Sequence, residues 1–209
     1  MAVVDTGWRG YIKRPNSRLN MFGNDALEKL LRDYQFTTVL DIGCGAGQQA
    51  DIFKQRNKAV TTIDMAARKG FSPDYIGDYL HTQFGRKFDA IWCCHVLEHV
   101  FNVNAFLAKL KSDLNQNGIL ALTVPPAKHD IVSGHVSIWN AGLLLYNLIL
   151  AGFDCRRAAV RTYGYNVSVI VQNNGNRVPH GVTDIPGLSA FFPIKAFQGF
   201  DGRIIEVNW

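Results

Sequence analysis

The chain has 209 residues, of which 47% are hydrophobic and 19% charged; this excludes an intrinsically disordered protein and is enough length for one domain with a real core. Its formal net charge is +5. The basic residues are scattered, with Lys13-Arg14 near Arg18 and Arg156-Arg157 near Arg161 as the densest groups, which argues against a nucleic-acid stripe.

Residues 1–24 carry Trp8, Tyr11, Pro15 and several basic groups without clear periodicity and are expected to form an N-terminal arm or lid. Leu27, Leu30, Leu31 and Tyr34 recur at helical spacing, with Asn24 or Asp25 placed to cap, which predicts a helix over 25–34. The apolar run 36–40 predicts a strand leading into Asp41-Ile42-Gly43-Cys44-Gly45-Ala46-Gly47, followed by a helix through Arg56. Further strands are expected over 59–64, 73–79 and 88–94. Val103, Phe106, Leu107, Leu110 and Leu114 stripe a helix that Asn117-Gly118 should end, before a fifth strand over 119–124 stopped by Pro125-Pro126. A helix over 143–150 then precedes two strands, 153–161 and 165–171, joined by a turn at Tyr163-Gly164. Strands alternating with helices and closed by a hairpin indicate an α/β fold whose mostly parallel sheet is covered on both faces. The tail, 173–209, is apolar enough to pack on the core, with a cap over the substrate or a contact between copies as further roles.

The four cysteines, Cys44, Cys93, Cys94 and Cys155, contain no C-x-x-C pair, and their placement suggests a reducing compartment. No basic-then-apolar leader is evident, and the longest apolar stretch, 141–153, contains Asn147 and is too short to cross a bilayer. A cytoplasmic protein is expected.

A strand feeding a glycine turn that opens a helix brings backbone against a nucleotide-like ligand. A dinucleotide fingerprint begun at Gly43 would need glycine at position 48, which is Gln48. Asp41 would sit poorly beside a pyrophosphate and well beside a cationic amine. Val60-Thr61-Thr62-Ile63-Asp64 then places a second acid roughly 20 residues past the glycines, where a ribose-binding carboxylate belongs.

Together these residues resemble the first motifs of the class I S-adenosylmethionine (SAM)-dependent methyltransferases, over residues 25–172. The resemblance implies a Rossmann-like sheet of seven strands, the last antiparallel, with SAM as cofactor. By the same resemblance Asp41, Gly43, Cys44, Gly45 and Gly47 hold the methionine moiety, Asp64 the ribose, and Gly77, Asp78 and Tyr79 the adenine, with Met65 also counted among the cofactor-binding residues. Cys94 and His95 match the segment beside the methionine end.

His95-Val96-Leu97-Glu98-His99 is also an H-x-x-E-H string, the inverted zinc-protease motif. That reading needs a third ligand, commonly a later glutamate, and the only one is Glu206. Similar strings recur in methyltransferases of this kind, so no metal is expected at His95 and His99. The Asn/Asp-Pro-Pro-aromatic string of amine and base N-methyltransferases is missing, as is the aspartate that holds magnesium in catechol-type enzymes. A metal-free in-line transfer to oxygen or carbon of a small-molecule acceptor, such as a sugar or another biosynthetic intermediate, is therefore expected. A hydroxyl acceptor calls for a general base, and the candidates are His95, His129 and His135. Trp139, Tyr163 and Tyr165 offer an aromatic wall or core packing. An RNA methyltransferase is the alternative, without an RNA-binding module to support it. A non-catalytic SAM-binding or interaction protein is another, against which the intact acids and glycines argue.

Overall fold

The computed structural model describes residues 22–176, 178–179 and 181–209, so all but the last three residues of the expected arm lie outside the described residues. One sheet of eight strands organises the chain: β1 (Thr38–Ile42), β2 (Ala59–Asp64), β3 (Tyr75–Ile76), β4 (Phe88–Cys94), β5 (Leu114–Val124), β6 (Ala159–Tyr163), β7 (Asn166–Gln172) and β8 (Glu206–Val207). Their order is β3-β2-β1-β4-β5-β7-β6-β8. β1 to β5 run parallel, and β7 is antiparallel to both β5 and β6. Among the described residues no helix is long and apolar enough to cross a membrane.

The helices α1 (Asn24–Asp33), α2 (Gln48–Gln55), α3 (Val103–Asp113) and α4 (Ala141–Leu150) cover the two faces, with a short α5 (Ile185–Leu188) in the tail. Val39 and Trp92 pack with Leu27 and Leu30 of α1 and Phe53 of α2. The alternate residues Leu40, Ile42, Ile91 and Cys93 join Phe106, Leu107 and Leu110 of α3 and Leu144, Leu145 and Leu148 of α4. This two-sided burial makes β1 and β4 near-continuous apolar runs. Asp41 is the exception in β1, buried to 1% exposure at the carboxyl end of the strand.

Several boundaries differ from the sequence-based expectation. Neither Asn24 nor Asp25 caps α1; Gly23, at φ +74°, takes the N-cap position without a side-chain bond. The third strand shrinks to two residues. α3 ends at Asp113, and β5 begins at once, because buried Leu114 pairs with Phe88 ahead of a register shift that Asn117, at φ +63°, accommodates. β6 starts at Ala159, since residues 155–158 form a turn in which the Ala158 N–H donates to the Cys155 carbonyl at 2.9 Å. Instead of seven strands the described residues form eight: the tail returns along β6, where β8 pairs Val207 with Val160 and Glu206 with Arg161.

Candidate active site

The loops that follow β1, β2, β4 and β5 gather at the carboxyl edge of the sheet, where parallel α/β folds bind ligands. Gly43, Gly45 and Gly47 all adopt left-handed backbone, at φ +70°, +56° and +79°. The Gly43 and Cys44 N–H groups donate to the Ile63 carbonyl at 2.8 and 3.3 Å, folding the turn over the end of β2. A side chain at Gly43 would overlap Val96 Cγ2 and one at Gly47 the Phe71 ring, whereas one at Gly45 would meet nothing within 4 Å. Gly45 thus presents open backbone, while its neighbours are needed for close packing. Gly43→Ala is expected to cost about 1–3 kcal/mol through overpacking alone. A urea midpoint lowered at constant slope would show it.

Asp64 joins the two sequence motifs physically. Its Oδ2 accepts the Gly45 N–H at 2.8 Å and its Oδ1 the Ala66 N–H at 3.4 Å. Met65 is 70% exposed and Ile76, the register partner of Asp64, 61% exposed. Both apolar side chains stand open to solvent at the carboxyl ends of β2 and β3; Ile76 had no sequence signal beyond its place in a short strand. Asp41 Oδ2, by contrast, is buried with no hydrogen-bond partner. Burial, then the nearby charge of Asp64, pushes the Asp41 carboxyl up to about 7.

The segment after β3 reaches the same edge, with the Gly77 N–H donating to the Asp64 carbonyl at 2.9 Å. Asp78 Oδ1 accepts the Leu80 N–H at 2.9 Å, and its Oδ2 lies 3.1 Å from His81 Nδ1. Tyr79 corrects an expectation: its side chain does not stand beside an adenine site. The ring packs on Phe84 and Phe106, and the hydroxyl donates to Asp113 Oδ2 at 2.8 Å. Only Tyr79 backbone is placed at that edge.

After β4, His95 takes φ +56°, rare for a residue with a side chain. Its Nε2 lies 3.0 Å from Asn166 Oδ1, its Nδ1 3.4 Å from Glu98 Oε1, and its ring 4.3 Å from that of Phe22. Asn166 Oδ1 also accepts the Gly23 N–H at 3.1 Å. His95 is therefore a tie between β4, β7 and the start of α1. Cys94, beside it, is half-buried, and burial holds its thiol well above the ordinary range.

The loop after β5 walls a cavity of about 250 Å³ whose lining includes Pro126, Lys128, His129, His135 and Tyr165. His129 is exposed, and among the described residues its imidazole has no hydrogen-bond or ion-pair partner. His135 also stands beside Glu98 and His99, with one ligand atom from each of the three within 4.8 Å of the others. Of the aromatic candidates only Tyr165 lines the cavity, with Lys128 Nζ 4.2 Å from its ring centre. Trp139 is buried and donates to Ser137 Oγ at 3.0 Å, and the Tyr163 hydroxyl is bonded to Ser168 Oγ at 3.0 Å.

A family profile described as a methyltransferase domain matches residues 25–143. A ubiquinone biosynthesis O-methyltransferase of Actinobacillus pleuropneumoniae is 31% identical over 125 residues, covering 51% of this chain and 53% of that protein. The chain thus spans about half the length of that curated relative. Among solved structures, a 1,6-didemethyltoxoflavin-N1-methyltransferase of Burkholderia thailandensis superposes with TM-score 0.58 at 16% identity, covering 71% of this chain and 76% of that one. The N-methyltransferase NodS of Bradyrhizobium japonicum, bound to S-adenosyl-l-homocysteine, gives TM-score 0.56 at 18% identity over 72% of this chain and 84% of its own. Likenesses at these identities establish the fold.

Proposed function

We propose, for a chain that belongs to the class I SAM-dependent methyltransferase family, that it transfers a methyl group in line from SAM to an oxygen of a small-molecule acceptor. The observation that carries this reading is the orphaned Asp41 carboxylate beside a glycine turn that Asp64 closes. A buried anion with a bare oxygen fits the amine of SAM and opposes a pyrophosphate. The open backbone face at Gly45 suits the methionine moiety, Asp64 the ribose hydroxyls, and Met65 with Ile76 the adenine faces. When bound, SAM supplies a methyl group already activated as a sulfonium. What remains for the protein is to position the acceptor, exclude water and remove a proton.

The three candidate bases are not equivalent. His95 has both nitrogens engaged, and His135 is drawn toward Glu98 and His99. His129 faces the cavity with its imidazole free among the described residues, so it is assigned as the base. The O-methyltransferase activity for which the curated relative is named supports oxygen as the acceptor atom. Labelling a cell extract with methyl-labelled SAM and identifying the product would name the acceptor.

Asp64→Ala is expected to weaken SAM binding by about 1.5–3 kcal/mol, the range for hydrogen bonds to a charged group. Calorimetry on a variant with native melting behaviour checks it. Unchanged affinity would remove Asp64 from the ribose site.

A further inference from the structure

Glu98 is 0% exposed, yet neither carboxylate oxygen has a hydrogen-bond partner. Two imidazole nitrogens face its Oε1, His95 Nδ1 at 3.4 Å and His99 Nε2 at 3.8 Å. In each ring the other nitrogen is committed to an oxygen acceptor. His95 Nε2 donates to Asn166 Oδ1 at 3.0 Å, and His99 Nδ1 donates to the Gly134 carbonyl at 2.8 Å. The Asn166 amide is oriented by its other bonds, accepting from Gly23 N and donating to the Tyr163 carbonyl. A neutral imidazole has a single N–H. Both rings, when neutral, therefore turn bare lone pairs toward a buried carboxylate, an arrangement that calls for a cation.

His135 brings a third donor to the same point. Its ring stands edge-on to His99, with centroids 5.0 Å apart, and ligand atoms of Glu98, His99 and His135 lie within 4.8 Å of one another. The loop carrying it is tied down, because the Val136 and Ser137 N–H groups donate to the Glu98 carbonyl at 2.8 and 3.3 Å. Gly134, at φ +83°, brings its carbonyl onto His99 Nδ1. A backbone carbonyl fixing the far nitrogen, so that the near one offers its lone pair, is the usual support of a metal-binding imidazole.

We propose that Glu98 Oε1, His99 Nε2 and a ring nitrogen of His135 hold a divalent transition-metal ion of the zinc class. Two imidazoles and one carboxylate suit zinc or cobalt, whereas magnesium and calcium favour all-oxygen sets. Three protein ligands leave at least one coordination position open. His99 is exposed and His135 lines the cavity, so that position lies on the accessible side of the cluster, beside the acceptor loop. The site uses none of the residues assigned to SAM and stands or falls apart from the methyl-transfer reading.

The test is cobalt titration of chelator-stripped chain carrying no polyhistidine tag. A visible ligand-field band should saturate at one cobalt per chain, and zinc should displace it. His99→Ala and His135→Ala should each weaken cobalt binding at least tenfold with unchanged melting curves. His81→Ala, at the surface histidine paired with Asp78, should bind as the parent does. Should His99→Ala lose its fold, His135→Ala on the loop decides alone. Absence of the band with millimolar cobalt, or equal affinity in parent and His135→Ala, would overturn the proposal. So would nitrogen NMR showing both His99 nitrogens protonated in the presence of excess zinc, which would make a proton the cation beside Glu98.

Discussion

His129→Ala is expected to lower turnover of the identified acceptor by about 10²–10⁴-fold, the usual contribution of a positioned general base. SAM affinity should stay within about twofold, because the imidazole lines the acceptor cavity and touches neither Asp41 nor Asp64. His95→Ala should behave differently. Its removal leaves Asn166 Oδ1 with only the Gly23 N–H and Glu98 with one fewer neighbour, so SAM affinity and melting temperature should fall along with activity. Measuring kcat, SAM affinity and thermal stability for both variants separates a base from a tie. Full turnover in His129→Ala would remove it from the mechanism.

The second large effect concerns Asp41. Its carboxyl is raised to about 7 in the folded chain by burial and by Asp64, so between pH 4 and 7 the folded state keeps a proton that the unfolded chain has released. Stability of the cofactor-free protein should therefore fall as pH rises through that window and level off above it. The full effect is on the order of 4 kcal/mol. A bound cationic amine favours the ionised carboxylate, so SAM affinity should rise with pH up to about 7, by at most about tenfold per pH unit, and then plateau. The neighbouring thiols Cys44 and Cys94 are held above their ordinary range and stay neutral throughout. Asp41→Asn should flatten both profiles while weakening SAM binding at pH 8. Calorimetry in buffers of different ionisation heat would register the released proton; equal affinity at pH 5.5 and 8 would exclude Asp41 as the partner of the amine.

The parallel sheet was legible in the sequence because its strands are short apolar runs, and those at 88–94 and 59–64 coincide with β4 and β2. The glycine turn was legible because left-handed turns require glycine, and the two acids sit in the carboxyl ends of β1 and β2. Long-range geometry was not. Asn166 and Phe22 have no local pattern marking them as partners of His95, and α1 is anchored by Asn166 and Tyr163 from the far end of the chain. Tyr79 looked like a ligand residue from its neighbour Asp78, but the one-turn helix that Asp78 caps rotates the ring into the core. No spacing along the chain links His135 to Glu98 and His99; only the folded loop after β5 brings it beside them. The eighth strand leaves no signal in the sequence because two residues carry no period, and its pairing depends on β6 having an unfilled edge.

The most direct measurement is a calorimetric titration of the full chain with SAM, S-adenosylhomocysteine and NAD at pH 8. Saturable one-to-one binding of the first two, weakened by Asp64→Ala, with no heat from NAD, is the expected result. Tight NAD binding without SAM binding would contradict the assignment of Asp41, the glycine turn and Asp64 to a sulfonium cofactor.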